Sequence, residues 1–241
     1  MTFPAVHQAV QWTTRDVVKA TAAAVAIVFV LGIIVVVIIS RNGNENILTD
    51  RTYAGVPFGL WVIAFQQLVF VFAAWNWSVT KYGARPRALG FVRPAGRKPY
   101  LKALLGWFLA LAAIVSWALF IDAVGIDSID PNENVNDIID IGGSLVLSVA
   151  IVGFWGPLTE EIFFRGFVLG GLRKRFGNRG ALLLSAGLFA LFHIDPTIYV
   201  PIFFFGIVLG WLYLHTGSIW PSVAVHIVHN TTILLATTLA E

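Results

Sequence analysis

The chain has 241 residues, of which 58% are hydrophobic and only 12% are charged, and its mean hydropathy is +0.81. Soluble domains carry about 25% charged residues, so this composition excludes an ordinary soluble protein and predicts an integral, multi-pass membrane protein. The net charge of +3 reflects the loops rather than a nucleic-acid partner, and the absence of cysteine excludes disulfides and a thiol nucleophile.

The first half of the chain predicts three transmembrane helices. Residues 20–40, 57–80 and 101–121 are apolar runs long enough to cross about 30 Å of hydrocarbon. The first run is too long for the core of a signal peptide, so we expect it to remain in the mature protein. The segment 81–102 carries seven basic residues and no acid, which places it in the cytoplasm. The segment 122–142 carries six acids and no Lys or Arg, so it lies on the opposite side.

The second half predicts four more transmembrane helices. They cover residues 143–172, 180–194, 197–214 and 218–239. Pro157 should kink the first of these, and Asp195-Pro196 should end the second. Gly206 and Gly210 lie four residues apart and predict a close helix contact. Further basic residues at 173–179 predict a second cytoplasmic loop, so the amino terminus should lie inside and the carboxyl terminus outside.

The fold class is therefore predicted to be all-α, a transmembrane helical bundle of about seven spans. We expect one membrane domain, in which residues 1–142 form a three-span segment with the basic cytoplasmic loop. Residues 143–241 are expected to form a four-span catalytic core.

The ionisable residues well inside the predicted spans, away from their ends, are few and all lie in the second half. A charge at the centre of a bilayer is costly, and such a residue indicates a functional site by default. The set, with one strongly polar neighbour, is Glu160, Glu161, Arg165, His193, His226, His229 and Asn230.

Helical periodicity groups these residues. Glu161 and Arg165 are four apart and can pair on one face, as a structural clamp or as part of a catalytic site. Glu160 points about 100° away and is free to face another group. His226 and Asn230 share a second face.

Glu160 and His193 are predicted to lie at a similar depth in the membrane. Glu160 lies 16 residues before Phe176, where the chain should turn, and His193 lies 17 residues after it. Two antiparallel helices therefore bring them to a similar depth. We expect Glu160, His193, His226 and Asn230 to line one cavity within the membrane, and we expect His229 to be a packing residue.

Two chemistries fit this set. A desolvated glutamate can act as general base on water, while His and Asn donors stabilise the oxyanion. Alternatively, Glu160, His193 and His226 could hold a Zn²⁺ with water as fourth ligand, although the usual H-E-x-x-H signature is absent.

Three short motifs carry a resemblance to a known family. Glu160-Glu161-x-x-x-Arg165, Phe189-x-x-x-His193 and His226-x-x-x-Asn230 resemble, in order and spacing, the signatures of the CAAX protease and bacteriocin-processing (CPBP) family of intramembrane proteases. Leu89-Gly90-Phe91 resembles a short motif often found upstream. The resemblance covers residues 145–235.

The resemblance implies roles for these residues. Glu160 would activate water with His193 as its partner, and His226 and Asn230 would form the oxyanion hole. Glu161 and Arg165 would support these groups from behind. The implied activity is cleavage of a peptide bond near the membrane in a peptide or protein substrate, classically after a prenylated cysteine. The resemblance does not imply that this chain itself cleaves a lipidated CAAX substrate.

Two further expectations complete the sequence analysis. A lipidated substrate would reach the cavity laterally or from the basic-loop side, and the basic loop would contact membrane lipids. The alternative functions are a non-catalytic bacteriocin-immunity or scaffold protein and a proton-coupled transporter. A transporter should show inverted-repeat halves, whereas all intramembrane charge lies in the second half here.

Overall fold

The first half of the protein forms three long helices and a small hairpin. The computed structural model describes residues 10–42, 47–50, 52–94, 96–125, 144–193 and 198–240. The helices of this half are α1 (Thr14–Asn42), α2 (Ile47–Asp50), α3 (Phe58–Trp75, continued by wide π-helical turns over Asn76–Thr80) and α4 (Lys98–Val124). Before α3, β1 (Thr52–Tyr53) and β2 (Val56–Pro57) pair as an antiparallel hairpin.

The second half forms four helices, two of which are joined at a single glycine. The stretch Leu145–Leu191 is helical except at Gly177, whose φ of 64° breaks it. We call residues 145–176 α5 and residues 178–191 α6. The Ser185 hydroxyl on α6 donates to the Phe164 carbonyl on α5 at 3.0 Å, so the chain must fold back at Gly177. α7 (Tyr199–Thr216) and α8 (Trp220–Ala240) follow.

The predicted all-α membrane fold is confirmed. Six helices of the described chain are long and apolar enough to cross a membrane when Leu145–Leu191 is counted once. Because the chain folds back at Gly177, this stretch forms two packed helices, which brings the total to the seven predicted. Asp195-Pro196 and all of the predicted acidic segment after Gly125 lie outside the described residues.

Segments that the sequence predicted to be cytoplasmic meet at one end of the bundle. The Trp12 indole donates to the Phe167 carbonyl near the end of α5 at 2.8 Å. Asp16, in the first turn of α1, accepts hydrogen bonds from Lys81 and from Tyr82 at the end of α3. This shared end is consistent with the charge-based topology, and we call it the basic end.

α5 alternates between regular and wide helical turns. Val149–Trp155 and Ile162–Leu169 are π-helical, and Gly156–Glu161 between them is α-helical with Pro157 in its first turn. Wide turns loosen the backbone hydrogen bonding, and π-helical segments occur often at functional sites. Here the carbonyls of the wide turns accept side chains from neighbouring elements, as the bonds from Ser185 and Trp12 show. The helix therefore continues through Pro157 with a change of pitch.

Helices from both halves pack around α5 and α7. Gly206 and Gly210 of α7 lie against α6, where an added Cβ would come within 3.1 Å of Ala186 and 2.5 Å of Leu182. This is the small-residue contact predicted from the sequence. On the other side of the bundle, Gly106 of α4 lies against α7. The division at residue 142 remains a prediction about sequence organisation, since the packing runs across it.

Candidate active site

The imidazole ring of His226 lies between two consecutive carboxylates. Its Nδ1 is 3.0 Å from Glu161 Oε1, and its Nε2 is 3.8 Å from Glu160 Oε2. The sequence analysis expected Glu160 to face away from Glu161. The two carboxylates do diverge around the helix, but both reach the same ring from its opposite nitrogens.

Glu161 and Arg165 form the predicted pair. Arg165 Nη1 lies 2.9 Å from Glu161 Oε1, and both side chains are almost fully buried. Arg165 Nη2 also donates to the Gly206 carbonyl at 3.4 Å, and its guanidinium lies 4.3 Å from the centre of the Phe189 ring. Glu161 therefore links a buried cation to the imidazole of His226.

A backbone contact near the basic end sets the relative depth of α5 and α8. Gly90, with φ 89°, accepts a hydrogen bond on its carbonyl from Ile219 N at 3.0 Å, just before α8. The preceding residue, Leu89, packs so closely on Gly166 of α5 that an added Cβ would meet its carbonyl oxygen at 2.6 Å. Only glycine at position 166 permits this approach.

Counting from this contact explains why His226 meets the carboxylates. Glu160 lies six residues from Gly166 along α5, and His226 lies seven residues from Ile219 along α8. At about 1.5 Å per residue, the two distances differ by only about one residue's rise. The Leu89-Gly90 segment therefore contributes to the site, although it lies far from the carboxylates in sequence.

His193 lies where α6 ends. Its Nδ1 is 2.9 Å from the Phe189 carbonyl one turn earlier, and its ring stands edge to face with the Phe189 ring at 4.9 Å. The structure places His193 on the same cavity as Glu160 and His226. This is the arrangement that the depth argument predicted.

Asn230 and His229 occupy the next turn of α8. Asn230 Nδ2 donates to the carbonyl of Val152, in the first wide segment of α5, at 3.0 Å. His229 was expected to be a packing residue, and its ring does lie 4.2 Å from the Phe205 ring. However, His229 also lines the cavity, and its buried Nδ1 has no hydrogen-bond partner in the described part of the chain.

The sequence analysis missed a glutamine pair on α3. Gln67 Nε2 donates to Glu160 Oε1 at 2.9 Å, and Gln67 Oε1 accepts from Thr159 at 2.7 Å. Gln66 lines the same cavity. Two adjacent amides in an otherwise apolar span were the available signal, because such groups need hydrogen-bond partners inside a membrane.

These side chains line a cavity of about 490 Å³. Its polar wall is formed by the two glutamines, Glu160, the three histidines and Asn230, and the remaining wall is apolar, including Ile63, Ile114, Trp117, Ile202 and Ile233. A cavity of this size with a few convergent polar groups is typical of a ligand or active site.

The cavity extends away from the basic end. Its residues on α3, α4, α5 and α8 lie mainly in the half of each helix that is farther from the basic loop, for example Ile63, Trp117, Val152 and Ile233. This position favours the lateral opening over the opening toward the basic-loop side, and both stay predictions. Both expectations came from the resemblance and not from helix lengths.

Two features of the possible metal ligands bear on the zinc hypothesis, and they point in opposite directions. The partner of His193 is the Phe189 carbonyl, and the partner of His226 is the Glu161 carboxylate, which is paired with Arg165. Both partners can only accept hydrogen bonds, so each histidine carries its proton on Nδ1 and has a lone pair on Nε2 that faces away from its partner. Metal-binding histidines commonly show this pattern. Yet within the described residues no three His, Asp or Glu side chains lie close enough together to hold a metal ion. The zinc hypothesis therefore stays a prediction, and we derive no step through a metal.

Comparison with known proteins agrees with the motifs. Residues 142–232 match the family model described as Type II CAAX prenyl endopeptidase Rce1-like. The Bacillus subtilis (strain 168) protein named "Putative membrane peptidase YdiL" is 28% identical over 140 residues, which is 56% of this chain and 55% of that protein. "UPF0177 protein YxdF" of Lactococcus lactis subsp. lactis (strain IL1403) is 31% identical over 77 residues, 32% of this chain and 42% of that protein.

The chain spans about half the length of the curated relatives it matches. No solved structure matches it. The family match contains all three motifs, and those motifs converge on one cavity between membrane-embedded helices. The second half of this chain is therefore similar to the CPBP family of membrane proteases in its sequence, in its motifs and in the position of those motifs on one cavity.

Proposed function

We propose that this protein is an intramembrane endopeptidase in which Glu160 activates a water molecule to attack a peptide bond. The observation that supports this most strongly is the position of the Glu160 carboxylate. It reaches the cavity with 15% of its side chain exposed, and it faces His226 Nε2 across 3.8 Å.

The separation of 3.8 Å suits a bridging water. It is too long for a direct hydrogen bond, whereas one water can bond to both atoms at ordinary hydrogen-bond lengths. Glu160 Oε2 and His226 Nε2 are both acceptors when His226 carries its proton on Nδ1. A water between them donates both protons and directs its lone pairs toward the rest of the cavity.

The reaction then follows as general base catalysis. As the water oxygen bonds to the peptide carbonyl carbon, one O–H bond breaks and its proton moves to Glu160. The tetrahedral intermediate collapses when the C–N bond breaks, and the proton passes from Glu160 to the departing amine. The products are a carboxylic acid and an amine, and Glu160 is again a carboxylate. A general base of this kind contributes about 10²–10⁴-fold to the rate.

The oxyanion requires N–H donors, and the tautomers limit which residues can provide them. Asn230 uses one N–H of its amide on Val152 and keeps the second. His226 in its neutral form has no free N–H, so it donates to the oxyanion only after it gains a proton. We therefore assign the oxyanion contact to Asn230, and to His226 in its protonated form. Glu161, with Arg165 behind it, would stabilise that imidazolium.

The substrate class is proposed from the family and from the cavity wall. The apolar side of the cavity can receive a hydrocarbon group, while the polar side lies at the scissile bond. This arrangement suits a peptide that carries a lipid near its cleavage site. We propose a CAAX-type lipidated peptide as the first substrate to test.

The test uses purified full-length protein in lipid nanodiscs and a farnesylated CAAX peptide with a fluorophore and quencher. The same peptide without the farnesyl group is the matched substrate control. We expect cleavage of the farnesylated peptide, and we expect Glu160→Gln to lower the rate by about 10²–10⁴-fold at a nearly unchanged melting temperature. Near-wild-type turnover by Glu160→Gln would refute the assignment of the base.

Two further measurements distinguish the proposed function from the zinc-dependent and the non-catalytic alternatives. Loss of cleavage with a chelator, restored by Zn²⁺, would support the zinc hypothesis over the metal-free path. No cleavage of either peptide, or of a mixed peptide library, would favour the non-catalytic immunity or scaffold alternative.

A further inference from the structure

Gln67 is the one side chain in the described part of the chain that donates a hydrogen bond to Glu160. It lies on α3, outside the residues that match the family model. A polar amide within an apolar helix must find partners inside the protein, because lipid offers none. Gln67 finds both partners on α5, at two consecutive residues, Thr159 and Glu160.

The orientation of the Gln67 amide follows from its partners. A carboxylate accepts hydrogen bonds only, so the amide nitrogen must face Glu160, at 2.9 Å. The amide oxygen then faces Thr159 Oγ1 at 2.7 Å. The threonine hydroxyl has one proton, and it also lies 2.8 Å from the Gly156 carbonyl and 3.1 Å from that of Trp155. Donation to Gln67 is the shortest of the three contacts and fixes the amide in this orientation.

This orientation separates the two oxygens of Glu160. Oε1 is occupied by Gln67, and Oε2 faces His226 Nε2. We propose that Gln67 is a positioning residue for the reaction. It holds the carboxylate in the rotamer that presents Oε2 to the water. Thr159 acts through Gln67. The effect of Gln67 on the rate rests on the proposed function, whereas the contact of Gln67 with Glu160 does not.

The adjacent Gln66 provides a matched control. It is the same residue type on the same helix, it lines the same cavity, and no hydrogen bond joins it to Glu160 among the described residues. Gln67→Met and Gln66→Met each replace an amide by an apolar chain of similar length. Thr159→Val and Thr159→Ser form a second pair, in which only serine keeps the hydroxyl.

The kinetic experiment uses the farnesylated CAAX peptide and the full-length protein in nanodiscs. We expect Gln67→Met to lower kcat about 10–100-fold with KM within about twofold, which is typical for removal of a residue that orients a catalytic group. Thr159→Val should have a smaller effect in the same direction, and Thr159→Ser should restore kcat. Gln66→Met also changes the wall of the cavity, but it should lower kcat less than Gln67→Met does, because Glu160 keeps its hydrogen-bond donor. Equal kcat losses in Gln66→Met and Gln67→Met would overturn the proposal.

A chemical experiment tests the same inference without catalysis. Dicyclohexylcarbodiimide reacts with protonated carboxyl groups in apolar surroundings, and tandem mass spectrometry locates the adduct on Glu160. Gln67 occupies Oε1 of Glu160, and Gln67→Met frees this oxygen, so the variant should increase labelling of Glu160 about three- to tenfold over wild type and over Gln66→Met. Unchanged labelling would overturn the proposal. If wild-type protein cleaves no peptide, the proposed function fails, and the labelling still decides the role of Gln67.

Discussion

The pairing of Glu161 with Arg165 predicts a large and non-additive loss of stability. Arg165→Met leaves the buried Glu161 carboxylate without its cation, with only the imidazole of His226 nearby. Glu161→Gln leaves the guanidinium with the Gly206 carbonyl at 3.4 Å and the Phe189 ring. Breaking one side of a buried ion pair costs about 3–5 kcal/mol, so each single variant should lose about that much.

The double variant should lose much less than the sum of the two single variants. Simple addition gives about 6–10 kcal/mol from the single values. With both charges removed, no unpaired ion remains, so we expect a coupling energy of at least about 2 kcal/mol between the two positions. At about 2–4 °C per kcal/mol for a chain of this size, each single variant should melt roughly 6–20 °C below wild type.

The assay is thermal unfolding of the purified variants in one detergent, followed by intrinsic tryptophan fluorescence. The matched control is the Asp16–Lys81 pair, in which 47% of the lysine side chain is exposed. A pair of that kind should show a coupling of only about 0–1 kcal/mol. Additive losses at Glu161 and Arg165, within about 0.5 kcal/mol, would refute the buried pairing.

Two more predictions test the packing and the direction of the cavity. Gly166→Ala places a Cβ 2.6 Å from a backbone carbonyl and should destabilise the protein by about 1–3 kcal/mol and reduce activity. Gly187→Ala, whose Cβ meets its nearest atom at 4.0 Å, should be neutral or slightly stabilising by the same melting assay. The native chain has no cysteine, so the single variants Ile233→Cys and Arg97→Cys each report whether one position is accessible to a thiol reagent. In sealed vesicles a membrane-impermeant maleimide should label them from opposite sides, and labelling of both from one side would contradict the assigned direction.

The spans were predictable because membrane crossing depends on local composition. All seven predicted spans correspond to helices of the described chain, with ends that differ by a few residues. The paired carboxylates were predictable for the same reason, since two charges in an apolar run are conspicuous without any partner. Helical spacing also gave the pairing of Glu161 with Arg165.

The rest of the site depends on contacts between distant parts of the chain. Gln67 lies 93 positions from Glu160, and no spacing rule relates the two. The attachment of His226 to Glu161 depends on the Leu89-Gly90 contact, which sets the depth of α8.

The contact of Gly90 with Ile219, and of Leu89 with Gly166, has a consequence for membranes of different thickness. Helices adjust to hydrophobic mismatch by tilting or by thinning the bilayer around them. Glu160 and His226 are both fixed by short helical segments to this one contact, so a tilt of α5 and α8 together carries both groups as a unit. The gap between Glu160 and His226 should therefore stay constant in lipids of different acyl length, even where access to the cavity from the bilayer changes.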